Sequence, residues 1–350
     1  MAWPEVANDP AQTCKTRGKT MHRKIRTTWV SACLTASLAL SAATAVHAQT
    51  AFPQKPVSII VPTTPGGTAD IVARLISPKL SQQWGQPVVV ENKPGAGTFI
   101  GSDYVARAPA DGHTLLLTFS ELASLPSINK NIKLDVVKGF TRIGRIGVLP
   151  VALLSHPSLP AKNAEELLAL LRASPGKYTY SSNGPGSSLQ LYTEIFRREA
   201  DVDIMHVPYR GALEASLAAI AGEVDLLVQF ASGNVINHVR ADKLRAYAVA
   251  SPERLQKLPE VPTAAEVGLP GFRLDAWYGL LGPAGLPNEI VNQINLDLQQ
   301  ALSHADVRER LDGINILVQT GSPAEFDRFF VQDHDRWARV IRESGIQSSQ

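Results

Sequence analysis

A run of β-branched residues, Val57 to Val61, halts at Thr63, Thr64, Pro65, Gly66 and Gly67 and gives way to apolar residues at helical spacing: Ile71, Val72, Leu75, Ile76 and Leu80. A short continuous apolar run suits a strand buried on both faces of a parallel sheet. The glycine turn then opens an amphipathic helix, in which Pro78 predicts a kink. The same grammar recurs along the chain. Val88 to Glu91 precede a PGAG turn at Pro94 to Gly97 and a helical stretch through Tyr104, and Thr114 to Thr118 end at Phe119 and Ser120. Tyr178 to Ser181, Ile204 to Val207 and Val224 to Val228 are each followed by a helical pattern. Strands alternating with helices predict an α/β fold with mostly parallel sheets.

Two apolar, strand-like stretches, Gly144 to Ser155 and Leu244 to Ala250, bracket a self-contained block of the chain and are flanked by proline-bearing loops. They read as crossings between two lobes, with 49–148 and 249–350 forming lobe 1 and 149–248 forming lobe 2. The tail fits this division. Ile290, Val291, Ile294 and Leu298 mark one amphipathic helix, and Phe326, Phe329, Phe330, Trp337, Val340 and Ile341 mark another. Both need a core to cover. Asp333, His334 and Asp335 on the last helix have the residue types of a metal site, but their pattern reads as a solvated face.

From Met21 the chain carries a basic head at Arg23, Lys24 and Arg26, then an apolar run, then Val46 and Ala48. That is the build of a secretory signal peptide, 21–48, cleaved after Ala48, and it predicts an exported, periplasmic protein. Residues 1–20 show no apolar pattern and read as a gene-model extension. Both cysteines, Cys14 and Cys33, precede the cut. The mature chain is therefore expected to lack a disulfide, a cysteine nucleophile and any thiolate metal site. Val30 to Cys33 have the look of a lipoprotein box, but almost no apolar run precedes them. Over the whole chain 34 basic residues stand against 32 acidic ones. Cleavage would leave 28 against 30, which argues against nucleic acid or anionic lipid as a partner.

The chemistry sits in the turns. In TTPGGTAD, the glycines bring a helix N-terminus to the carboxyl edge of the sheet, where unpaired N–H groups and the helix dipole attract an anion. Thr64, Pro65, Gly66, Gly67, Thr68 and Asp70 are the candidate residues. The alternative is an ordinary turn in which Thr68 caps the helix and Asp70 complements its dipole. A second copy strengthens the binding reading: YSSNGPGSS places Ser181, Ser182, Gly186 and Ser187 ahead of another helix. Two such ends facing across a cleft would clamp a carboxylate with neutral backbone dipoles. Ser120, Tyr209, Gln229 and Tyr278 stand at further strand ends, and Trp277 with Tyr278 offers an apolar wall.

Enzyme signatures are missing. Gly95, Gly97 and Gly101 have the spacing GxGxxxG, not that of a dinucleotide fingerprint. No GxSxG surrounds Ser181, Ser187 or Ser188. The histidines of the mature chain show neither HExxH nor paired metal-ligand spacing. No Walker loop occurs, so no catalytic residue, metal or cofactor is expected. A secreted hydrolase or isomerase using Ser182, Ser187 or Asp70 is the competing reading, and a regulatory effector domain is a third, disfavoured by the export signal.

The segments FPQKPVSIIVPTTPGGTADIVARLISPKL, GQPVVVENKPGAGTFIGSDYVARAPADGHTLL, YSSNGPGSS, HVPYRG, GEVDLL and PEVPTAAEVGLPGF leading into WYGLLGPAGLP follow one another in an order that closely resembles the tripartite tricarboxylate transporter receptors, or Bug proteins. The likeness runs from about Phe52 to Ile346. It implies a two-lobed periplasmic binding protein of type II, a Venus flytrap whose lobes are joined by crossover strands and close on a small organic carboxylate. It also implies a monomer that delivers this ligand to membrane transporter subunits. In the family, the turn matched by Thr64 to Thr68 holds the carboxylate through backbone groups and water, and the turn matched by Ser181 to Ser188 meets it from the other lobe. Two departures bear on the pocket: Leu125 replaces the usual asparagine before Pro126, and Gln229 and Phe230 are followed by Ala231 and Ser232.

Overall fold

The computed structural model describes residues 52–274 and 276–344. The expected extension 1–20, the signal peptide 21–48 with both cysteines, and Asp275 of LDAWYG lie outside the described residues.

Two sheets organise the chain. The first contains β1 (Val57–Val61), β2 (Val88–Asn92), β3 (Thr114–Phe119), β4 (Phe140–Leu149), β10 (Ala276–Pro283) and the short β11 (Leu317–Val318), in the order β11-β4-β10-β3-β1-β2. The second contains β5 (Val151–Ser155), β6 (Thr179–Ser182), β7 (Met205–Pro208), β8 (Leu226–Phe230) and β9 (Arg245–Val249), in the order β7-β6-β8-β5-β9. Helices follow the strands in turn: α1 (Thr68–Trp84), α2 (Phe99–Ala106), α3 (Glu121–Ile128), α4 (Ala164–Ala173), α5 (Ser188–Ala200), α6 (Ala212–Ala221) and α7 (Gly233–Arg240). The tail adds α8 (Asn288–Ser303), α9 (Ala305–Gly313) and α10 (Pro323–Ser344).

Both sheets are mixed, where mostly parallel ones were expected. Parallel pairing is confined to β2-β1-β3 and to β7-β6-β8. The antiparallel pairs all involve β4, β5, β9, β10 and β11. The cause is the two strands that enter a sheet from the other one: β5 runs against β8 and β9, and β10 runs against β3 and β4, while β4 and β9, each reached through a helix, keep the direction of the preceding strand. The stretch Gly144 to Ser155, read as one strand, is two, divided at Pro150. Proline cannot donate to a ladder, so the first sheet ends at Leu149 and the second starts at Val151. In α1 the helix runs through Pro78 to Trp84, so the anticipated kink does not end it.

The glycines that mimic a dinucleotide fingerprint have a packing role. A Cβ on Gly101 would lie 2.9 Å from the Lys93 carbonyl and from Pro62, so α2 can approach β1 this closely only without a side chain there. The tail helices cover the first sheet as their apolar spacing requires. Trp277, fully buried on β10, meets the edges of Phe326 and Phe330 at 5.4 and 5.6 Å. Its Nε1–H donates to Asp333 Oδ2 at 2.8 Å. Asp333 is therefore buried on the core face of α10, contrary to the solvated face expected of it, and Trp277 faces the core instead of walling a cleft. Burial pushes the Asp333 carboxyl up, and the Arg336 guanidinium opposes that shift.

This pairing yields a prediction. Trp277→Phe keeps an aromatic ring in the core but leaves a buried carboxyl oxygen without its donor, at a cost of about 1–3 kcal/mol. Urea unfolding measures this, and an unchanged midpoint would contradict the role given to the pair.

Candidate functional site

The turn after β1 and the turn after β6 are conformational copies. Gly66 and Gly186 both take positive φ, +85° and +73°, a region that favours glycine. The following residues, Gly67 and Ser187, cap α1 and α5 with nearly equal dihedrals, φ −71°, ψ 164° and φ −72°, ψ 160°. Each cap N–H points back to a carbonyl three residues earlier, Gly67 to Thr64 at 3.4 Å and Ser187 to Gly184 at 3.3 Å. In each turn the third helical residue reaches back to the glycine amide. Gly66 N–H donates to Asp70 Oδ2 at 2.9 Å, and Gly186 N–H donates to Gln190 Oε1 at 2.6 Å. The sequence thus repeats as TPGGTAD and GPGSSLQ. Because β1 and β6 run parallel to their neighbours, both turns emerge at the carboxyl edge of a sheet.

The copies differ in charge and in capping. Asp70 is buried, and its carboxylate accepts from Gly66 N–H, from Arg74 Nε at 3.0 Å and from Asn92 Nδ2 at 3.0 Å. The Arg74 guanidinium holds this carboxyl below its ordinary range against the opposing effect of burial. Asp70 therefore braces the turn, and its oxygens are engaged within the protein. Gly67 brings no side chain to cap α1. The cap is thus not Thr68, whose hydroxyl instead bonds the Tyr278 phenol. In α5 the Ser187 side chain does cap, accepting from Gln190 N–H at 3.5 Å, and the first turn carries no acidic residue.

A cavity of about 360 Å³ lies at these edges. The second turn supplies Asn183, Pro185, Gly186, Ser187 and Ser188 to its wall; the first sheet supplies Ala96 and Gly97 from the β2 turn, and Glu121, Leu125, Ile128 and Asn129 from α3. Its volume is at the low end of the roughly 300–1,000 Å³ usual for small-molecule sites. Thr64 to Thr68 do not line it directly. They stand beside it, joined through Thr68 to Tyr278, whose phenol feels the charge of Glu121. Ser120 is buried with its Oγ 3.3 Å from the Tyr192 hydroxyl, which ties the end of β3 to α5.

Several expected site residues face elsewhere. Ser181 Oγ donates to the Ala215 carbonyl at 3.0 Å. Gln229 Nε2 donates to the Ala212 carbonyl and to Ser216, and its Oε1 accepts from Phe230 N–H. Both side chains form a buried polar seam between the second sheet and α6. The Tyr209 hydroxyl donates to Glu223 Oε2 at 3.4 Å, away from the cavity wall, although the Tyr209 amide secures the turn by donating to the Ser182 carbonyl at 2.9 Å. Conversely, Glu121, Asn129 and Asn183 line the cavity without having stood out. Glu121 follows Ser120 directly, so its place at a strand end was the available signal.

Ser182 lies 2.6 Å from His206 Nε2, an arrangement that invites comparison with a nucleophile and its base. The surrounding bonds assign the proton otherwise. Gly186 N–H fixes the Gln190 amide by bonding Oε1, which turns Nε2 toward His206 Nδ1 at 3.4 Å. Nδ1 therefore accepts, the ring proton sits on Nε2, and His206 donates to Ser182 Oγ. Ser182 Oγ in turn donates to the Gly184 carbonyl at 3.2 Å. Burial pushes the His206 pKa down, favouring this neutral ring. A general base needs the opposite tautomer. Among the described residues, no group of three or more His, Cys, Asp or Glu could hold a metal ion.

The Asp70 network sets a pH dependence. A carboxyl held below its unfolded-state pKa stabilises the fold at neutral pH, and that contribution is lost as pH falls through the depressed value. Asp70→Asn is expected to flatten the acid limb of stability in urea unfolding between pH 3 and 7; an unaltered acid limb would contradict the bracing role.

A sequence model described as a tripartite tricarboxylate transporter family receptor matches residues 72–346. Protein BugT of Bordetella pertussis is 33% identical over 296 residues, covering 84% of this chain and 90% of that protein. Among solved structures, MatC (Rpa3494) from Rhodopseudomonas palustris with bound malate is similar at TM-score 0.69 and 32% identity, covering 83% of this chain and 100% of that one. R. palustris Rpa4515 with adipate is similar at TM-score 0.72 and 30% identity, covering 85% and 100%. With a family match across most of its length and relatives of this identity over more than four-fifths of it, the chain belongs to the tripartite tricarboxylate transporter family of receptors.

Proposed function

We propose that this protein is a periplasmic solute receptor that captures a small organic carboxylate between its two sheets and delivers it to a membrane transporter of the tripartite tricarboxylate type. The observation that carries this reading is the duplicated turn, which brings a glycine-flanked helix N-terminus to the carboxyl edge of each sheet, one in the cavity wall and one beside it. The opening N–H groups of α1 have no capping side chain and suit an anion. At α5 the neutral Gln190 takes the place that Asp70 has in α1, so the positive end of that helix keeps its attraction for negative charge. The turns matched by Thr64 to Thr68 and Gly186 to Ser188 are assigned to the ligand through the amides their internal bonds leave open, Thr68 and Ala69 at α1 and Ser188 and Leu189 at α5, with the Tyr278 phenol beside them.

The two sheets act as lobes in this reading, 49–148 with 249–350 and then 149–248, hinged where the chain crosses at Pro150 and after Val249. The ties across them include Ser120 to Tyr192, Arg198 to Glu343, the Gly271 amide to Glu199, the Asn315 side chain to the Ala231 carbonyl, and Phe196 against Phe272. Water between the turns and the ligand would bridge at little enthalpic cost and would let one scaffold accept acids of different length. Malate in MatC and adipate in Rpa4515 support a carboxylate as the ligand class. The His206 tautomer, set by the Gln190 amide and not by a carboxylate at Nδ1, favours binding over catalysis.

A thermal-shift screen of malate, adipate and related carboxylates tests the reading. A ligand at 100 times its Kd adds about 2.7 kcal/mol of stability and is recovered unaltered. A Cβ at Gly67 meets only ordinary contacts, 3.5 Å from the Thr64 carbonyl and 3.6 Å from the Thr63 hydroxyl, at φ −71°. Gly67→Val therefore keeps the unliganded fold while crowding the amides, and the ligand-induced shift is lost. A retained shift would place the site elsewhere, and consumption of the ligand would favour the hydrolase or isomerase reading.

A further inference from the structure

Among the residues that line the cavity, Glu121 alone bears an ionisable side chain, and no Lys, Arg or His stands with it in the wall. It opens α3 just after β3 and shares the cavity wall with Ser188 at the start of α5. Two influences act on its carboxyl: burial, which pushes it above the usual carboxylate range, and the Ser188 hydroxyl, which offsets part of that rise. The titratable neighbours that feel it, Tyr192 on α5 and Tyr278 on β10, are themselves pushed upward by burial and stay neutral. A carboxylate so placed lacks a counter-charge, and desolvating it without one is unfavourable.

We propose that Glu121 is a specificity-determining residue which pairs with an ammonium group on the ligand, so that the preferred solute is an amino-bearing carboxylate and not the corresponding plain acid. This deepens the receptor reading and rests on it. Ser188 opens α5 and lines the same cavity as Glu121, so the helix N-terminus and the acidic side chain share one wall. A molecule with carboxylate and ammonium on the same or adjacent carbons satisfies both at once: its carboxylate meets the open N–H groups at the start of α5, and its ammonium meets Glu121. A ligand group of negative charge in the second position would instead be repelled by Glu121.

Isothermal titration of matched pairs tests this: alanine with propionate, aspartate with succinate, and glutamate with glutarate, against the full-length mature protein, Glu121→Gln and Glu121→Ala. The expected result is at least a tenfold preference of the unmodified protein for the amino member of one pair. That preference disappears in both variants, while the plain acid binds them equally well or more tightly, which also shows that they are folded. Equal affinity within every pair for the unmodified protein, or a preference that survives in Glu121→Gln, overturns the assignment of Glu121 and leaves the receptor reading intact. Failure of every carboxylate, of these pairs and of the thermal-shift screen alike, overturns both.

Discussion

The first N–H groups of a helix have no partner inside the helix, and two strand-to-helix turns of this protein are shaped by that deficit. Each meets it partly from within: the third helical residue bends back to the amide of a positive-φ glycine, and the cap amide closes on a carbonyl three residues earlier. What remains is a short row of donors at the mouth of the turn. Parallel pairing of β1 with β2 and β3, and of β6 with β7 and β8, brings those rows to the carboxyl edge of each sheet. The antiparallel strands β4, β5, β9 and β10 let the chain pass from one sheet to the other and back.

The two turns solve the same problem with different charge. In the first, Asp70 neutralises the helix end and is held by Arg74 and Asn92, which makes the turn rigid and nearly charge-balanced. In the second, Gln190 makes the same backbone bond without charge, and its amide orients His206. The second turn also lies in the cavity wall, facing Glu121 from the first sheet. Supporting residues hold these features in place. Ser181 and Gln229 fasten the second sheet to α6, and Trp277 with Asp333 fastens β10 to α10.

Much of this was legible in the sequence because it depends on local pattern. The β-branched run at Val57 to Val61, the glycines that follow, and the apolar spacing of α8 and α10 are periodic signals. The second turn was visible as a motif for the same reason. What stayed hidden depends on partners distant in the chain. Gln229 and Ser181 sit at strand ends as a binding residue would, but only α6 packing decides that their polar groups turn inward. Asp333 looked solvated because an acidic residue beside His334 and Asp335 has no local reason to be buried; Trp277, 56 positions away, supplies that reason. Glu121 reads locally as an ordinary acidic opening residue of a helix. Its place in a cavity wall follows from the packing of the second turn against α3.

The central claim is that the backbone amides of the two turns hold a ligand carboxylate. Amide proton and nitrogen shifts of the isotope-labelled protein, followed through a titration with a binding carboxylate, test it most directly. The account predicts the largest shifts at Thr68 and Ala69 and at Ser188 and Leu189, moving together with one dissociation constant. Large shifts confined to other strand ends, with these two turns unmoved, would contradict it.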